Sequence, residues 1–236
     1  MSMVWVWTIV LILVLMIFIY SVAPALWTRV FRLSSVFKGP AKPEVSLTFD
    51  DGPHPIYTPQ LLDALDKGGV RATFFVLAEK AELHADIVER MIKSGHDIQI
   101  HGNTHLFVPL LGPVRTARQV EGAAMRLQKK FHVQTKWYRP TWGLCNLYSF
   151  VSLKKSGHRL VTWSIMVGDW KCTPVDMLRQ RIAKRLHPGS IIVLHDNDET
   201  FGAELGAPKS VIELIPYLVE DVHAKGYRFS TLAEWF

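Results

Sequence analysis

From Val4 to Tyr20 the chain reads VWVWTIVLILVLMIFIY, with no charge, and the apolar character continues loosely to Trp27. A run of this length crosses a bilayer as a helix, whereas a buried core helix would carry a polar stripe that is missing here. Residues 1–27 are therefore predicted as a membrane-inserted segment. Ala23-Pro24-Ala25 offers a small-x-small pattern of the kind cut by signal peptidase. No Lys or Arg precedes the run, however, and it is longer than a usual signal core. An uncleaved single-pass anchor is the reading that follows.

Residues 28–44, with Gly39-Pro40 and Pro43, read as a linker. From Val45 onward, short apolar runs alternate with longer amphipathic ones. Strands are predicted at 45–49, 72–77, 96–100, 136–138, 159–165, 190–194 and 227–230. Helices are predicted at 58–67, 82–93, 114–131, 147–155, 175–187 and 209–225. Pro59 suits a first helical turn, and Gly68-Gly69, Gly95, Gly157, Pro188-Gly189 and Gly226 supply the stops. Seven strands separated by helices predict a parallel α/β sheet with right-handed crossovers. Polar clusters fall at the C-terminal ends of five predicted strands, at Asp50-Asp51, His101, Arg139, Asp169 and His195. That is the rim where α/β barrels place their chemistry, so a closed or nearly closed barrel over residues 45–236 is preferred to an open sheet.

Composition adds limits. At 236 residues and 49% hydrophobic content, the chain supports one sizeable core plus the N-terminal appendage. The net charge of +6 is spread over predicted helix faces, which suits solvent, anionic headgroups or an anionic wall polymer. No nucleic-acid motif is present, so no nucleic-acid partner is expected. Cys145 and Cys172 lack metal-site spacing and are expected as free thiols, with a single disulfide as the alternative if the domain lies outside the cell. Arg29, Arg32, Lys38 and Lys42 follow the apolar run, and the positive-inside rule would keep that side in the cytoplasm.

The chemistry sits in Thr48-Phe49-Asp50-Asp51-Gly52-Pro53 and His101-Gly102-Asn103-Thr104-His105. Neighbouring strand residues face opposite ways, but Gly52-Pro53 ends the strand and lets both carboxylates converge. The four-residue spacing of His101 and His105 would put both rings on one face of a helical turn. With Asp51 they form the two-nitrogen, one-oxygen donor set of zinc hydrolases, and Asp50 is left over as a base.

These motifs resemble the NodB-homology polysaccharide deacetylases, carbohydrate esterase family four. The likeness extends through Arg139-Pro140-Thr141-Trp142-Gly143, Asp169-Trp170 and Ile192-Val193-Leu194-His195-Asp196, in the family's order and over nearly everything after residue 44. It implies a distorted (β/α) barrel that removes acetyl groups from an N-acetylated glycan such as peptidoglycan or a chitin-like oligomer. By that resemblance Asp51, His101 and His105 hold one divalent metal, Zn2+ first among the choices, and Asp50 is the base oriented by Arg139. His195 is the acid tuned by Asp169, while Trp142, Trp170 and Leu194 surround the substrate and its oxyanion. Because such polymers lie outside the membrane, the catalytic domain is expected there despite the flanking cations. Gly102 replaces the usual Ser or Thr, Thr141-Trp142 replaces Pro-Tyr, and Met166 stands where many members carry Asp. A non-catalytic sugar-binding or wall-assembly protein on the same barrel is the competing class. The Asp196–Glu199 acidic loop is expected to be solvated.

Overall fold

The computed structural model describes residues 3–236. Its sheet is built from β1 (Glu44–Asp50), β2 (Thr73–Leu77), β3 (Asp97–Gly102), β4 (Trp137–Tyr138), β5 (Arg159–Leu160), β6 (Ile165–Met166), β7 (Ser190–His195) and β8 (Arg228–Phe229). The order is β5-β4-β3-β2-β1-β7-β6, all parallel, with β8 beside the start of β1. Helices cover the outside, and the sheet curls into the expected distorted barrel.

One predicted strand divides. The run 159–165 becomes β5, paired with β4, and β6, paired with β7 at the opposite edge. The residues between them bend across the seam of the barrel. Val36 fills that seam, donating its N–H to the Leu160 carbonyl (2.9 Å) and accepting from the Thr162 N–H (2.8 Å). Two further helical predictions change in detail. The run 82–93 splits at His84 into Ala78–Leu83 and Ala85–Lys93, and 114–131 contains a wide turn at Arg118–Gly122.

Strand alternation sorts the core. Leu47, Phe49, Phe74, Ile98, Ile100 and Leu194 face outward and pack with helix residues such as Leu61, Leu65, Val88, Leu214 and Leu218. The opposite face carries Phe75, Trp137, Ile191 and Val193, which fill the barrel with Val161, Trp163 and Leu232. Each large apolar side chain so buried contributes roughly 1.5–3 kcal/mol. On that inner face the same parity brings Thr48, Asp50, His101, Arg139 and His195 to the upper rim.

The N-terminal helix runs from Met3 to Arg29, and residues 3–19 are exposed. Its last part docks on the barrel. Tyr20 Oη donates to the Leu111 carbonyl (2.8 Å), Ser21 Oγ donates to the Pro109 carbonyl (2.7 Å), and Thr28 Oγ1 lies 3.5 Å from Cys145 Sγ. The stretch expected as a linker is fastened too. Lys38 bridges to Ser190, and the Gly39 N–H donates to the Gly189 carbonyl (2.8 Å). Gly39 also lies so close to the Trp235 ring that an added Cβ would fall 2.3 Å from it. Spacing could not announce this, because Gly and Pro mark close packing as readily as flexibility. Cys145 is buried and Cys172 exposed, and both are free thiols.

Candidate active site

β1 delivers Asp50 to the rim on its inward face, and Asp51 then takes a left-handed backbone (φ 76°). That turn, unfavourable for a non-glycine residue, brings a second adjacent carboxylate into the same pocket. Asp50 Oδ1 accepts from Arg139 Nη1 at 2.7 Å. Arg139 is fully buried, and its remaining donations go to Thr48 Oγ1 (2.8 Å) and the Thr162 carbonyl (3.0 Å). The guanidinium lies 4.0 Å over the Phe75 ring. Losing either partner would strand a buried charge, which typically costs 3–5 kcal/mol.

Asp51 Oδ1 lies 2.9 Å from His101 Nε2 and 3.3 Å from His105 Nε2. Its Oδ2 accepts from Thr200 Oγ1 at 2.8 Å. Burial pushes the Asp51 carboxyl up, but hydrogen bonds from His101 and His105 outweigh it and hold the group well below the usual carboxylate range. The three donors lie within 4.8 Å of one another. Nitrogen and oxygen donors about 2.1 Å from a shared ion stand roughly 3.0–3.4 Å apart. The Asp51 contacts fall close to that spacing, so the donor set fits a divalent ion.

The two histidines do not share a helical turn. His101 belongs to β3 and His105 to the loop after it. A missed residue braces that loop. Gln119 Oε1 accepts the N–H groups of Asn103 (2.7 Å) and Thr104 (3.3 Å), reaching in from the wide turn. A Cβ on Gly102 would fall 2.6 Å from that oxygen, and Gly102 has φ 154°. The absent hydroxyl at 102 therefore makes room for a carboxamide brace from another element.

Across the pocket, Asp169 Oδ2 meets His195 Nδ1 at 3.0 Å and accepts the His195 backbone N–H at 2.7 Å. Burial lowers the affinity of His195 for its proton. The charge and hydrogen bond of Asp169, helped by Asp51 and Asp50, more than reverse this and raise its pKa to about 10.

Trp142 contacts the His105 ring edge-on (4.4 Å between centroids) and lines the pocket. Trp170 lines it beside His195 (5.9 Å). Met166 and Trp163 lie in the same wall, and Thr200 and the exposed Phe201 come from a loop that sequence reasoning passed over. Leu194 does not join them. It is wholly buried in the outer core, because β7 turns only its alternate residues, including His195, towards the lumen. The acidic loop is solvated only at Glu199. Asp196, Asn197 and Asp198 are buried, and Asp196 Oδ2 accepts from Thr58 Oγ1 (2.6 Å), its pKa pushed up by burial to about 7. A Cβ on Gly52 would strike that carboxylate at 2.3 Å, so glycine is required there.

A curled parallel barrel with paired acids, two histidines and an arginine-held carboxylate at its rim defines a hydrolase-type site. The polysaccharide deacetylase family model matches residues 38–161, more than half of the chain. A peptidoglycan-N-acetylglucosamine deacetylase of Bacillus cereus is 33% identical over 92% of this chain and 76% of its own length. A chitooligosaccharide deacetylase of Sinorhizobium fredii is 29% identical, over 83% and 93%. Among solved structures, the Bc1960 peptidoglycan N-acetylglucosamine deacetylase superposes with a TM-score of 0.81 at 30% identity, covering 91% of this chain and 97% of that one. The chain belongs to the polysaccharide deacetylase family, and it is a hydrolase acting on amide bonds.

Proposed function

We propose that the protein removes acetyl groups from an N-acetylated glycan, peptidoglycan or a chitin-like oligomer, while anchored in the membrane by its N-terminal helix. The names of the related deacetylases support the substrate class. The observation that carries the reading is the convergence of the Asp51, His101 and His105 donors between an arginine-held carboxylate and an aspartate-held imidazole in one pocket.

Asp51, His101 and His105 would hold one divalent ion, zinc by their chemistry. When bound, such an ion supplies Lewis acidity, which acidifies water and polarises a carbonyl. The protein's own groups do the rest. Arg139 occupies Asp50 Oδ1, orienting Oδ2 as the oxygen that accepts the proton of the attacking water. His195 is held by Asp169 through Nδ1, so its Nε2–H donates to the departing amine, which leaves readily only once protonated. Trp142 and Trp170 offer flat apolar faces to a sugar ring. Leu194, sealed in the core, takes no part in substrate binding.

The exposed apolar helix supports a single-pass anchor, and the location of polymeric glycans supports an extracytoplasmic domain. Purified full-length protein in detergent, incubated with N-acetylglucosamine oligomers and peptidoglycan fragments, should yield products short of acetyl groups by mass spectrometry. Chelation should stop turnover and added Zn2+ restore it. Full activity after thorough chelation would sink the metal assignment, and unchanged glycans under all conditions would sink the activity.

A further inference from the structure

Arg29 ends the helix Met3–Arg29 and also lines the pocket that holds Asp50, Asp51, His101 and His195. The exposed part of that helix, residues 3–19 at about 1.5 Å each, spans about 25 Å, most of a hydrocarbon layer of roughly 30 Å. Arg29 then stands only about 10 Å beyond it, near headgroup level. The helix is not free to swing away, because Tyr20 and Ser21 bond to the 109–111 turn and Pro24 and Thr28 are buried against the domain. Leu110 and Val114, beside that contact, expose apolar side chains at the level where the membrane run ends.

The guanidinium of Arg29 lies 4.3 Å over the Trp163 ring. It is half-buried, its charged neighbour is Arg32, and no carboxylate pairs with it among the described residues. Arg139, by contrast, is buried beneath the pocket and hydrogen-bonded to Asp50, Thr48 and the Thr162 carbonyl. A planar cation with spare donors, held rigidly on an aromatic face, is suited to a planar or tetrahedral anion. A neutral acetamide offers such a cation no charged partner before the reaction begins, and an anionic group on the bound glycan would.

We propose that Arg29 is a substrate-binding residue that takes an anionic group, phosphate or carboxylate, carried by the glycan next to the sugar being deacetylated. This rests on the deacetylase reading and adds a charge requirement to its substrate. A phosphate would belong to a saccharide linked to lipid, and a carboxylate to a sugar acid within a polymer.

The test uses full-length protein in detergent, titrated with N-acetylglucosamine, N-acetylglucosamine 1-phosphate and N-acetylmuramic acid, followed by calorimetry and tryptophan fluorescence. At least one anionic probe should bind about tenfold or more tightly than the neutral sugar, less so at high salt. Arg29→Gln should reduce that preference to about one, and Arg29→Lys should keep part of it. Preference for the phosphate probe assigns the lipid-linked source, and preference for the carboxylate assigns the sugar acid. Equal binding of all three probes by the wild type would overturn the proposal. So would an Arg29→Gln protein that weakens every probe equally, since that marks Arg29 as a brace for the helix. Charge-selective binding that depends on Arg29, without acetate release from any glycan, would refute the deacetylase reading and leave this assignment intact.

Discussion

Asp50 and Asp51 are covalent neighbours with different surroundings, and those surroundings divide their proposed work. Arg139 holds one, and two imidazoles hold the other. Replacing Asp50 with Asn keeps the shape and the Arg139 contact but removes the carboxylate proposed as the base. Turnover should fall by about 10²–10⁴-fold while bound metal, read by elemental analysis, stays near one per chain. Asp169 controls the opposite limb. His195 must be protonated to serve as the acid, so activity is lost as pH rises through its pKa, raised to about 10 with Asp169 in place. An ion neutralising Asp51 would lower that value in the loaded enzyme. Asp169→Asn removes the main attraction for the proton, and the alkaline limb of kcat/KM should move by more than one pH unit to lower pH. A third expectation concerns Gln119, which accepts both loop N–H groups. Gln119→Ala should weaken zinc affinity about 10-fold or more, the usual scale for groups that orient ligands. Gly102→Ser should do the same by clashing with that carboxamide, and competition with a chromogenic chelator reads both.

At the scale of elements, the connection between β2 and β3 carries a buried titrating group. His96 Nδ1 accepts the Ala72 N–H at 3.1 Å, and burial depresses its pKa from 6.5 to about 4. The folded state therefore favours the neutral ring. Its stabilising effect is complete above the unfolded pKa and declines as pH falls from about 6.5 towards 4, where the unfolded chain alone takes up the proton. The loss approaches about 3 kcal/mol at the acid end. His96→Asn retains a neutral acceptor, so its denaturation midpoint should vary less between pH 7 and pH 4.5 than the wild type's. The same scale explains the divided strand. Residues 159–165 have an unbroken extended pattern, yet β5 and β6 serve opposite sheet edges because the barrel closes between them.

The whole molecule joins an exposed apolar helix rigidly to a barrel whose pocket opens beside that helix. Under the anchored reading, the protein should sediment with membranes, resist extraction by high salt, and be released by detergent. Protease added to intact cells should digest the domain if it lies outside. Deleting residues 1–18 should free the domain with little change in thermal midpoint, since residues 3–18 are exposed. Deleting residues 1–35 should lower it, because Thr28 and Arg29 cover Cys145 and Trp163.

Much of this was legible in the linear pattern. Alternating short and long hydrophobic periods announced strands and helices, and acids, histidines and the arginine at strand ends marked one rim. The apolar N-terminal run declared itself by length. These are local properties, written in spacing and side-chain chemistry. Other features were decided only by contacts between distant segments. Thr200 bonds Asp51 across 149 positions, Gln119 fills the space left by Gly102, and Arg29 reaches the pocket from the end of the N-terminal apolar helix. The outward turn of Leu194 and the division of 159–165 depend on how the sheet curls. A sequence fixes which groups are available, but which of them meet follows from the single register and closure that bury the barrel's two faces together.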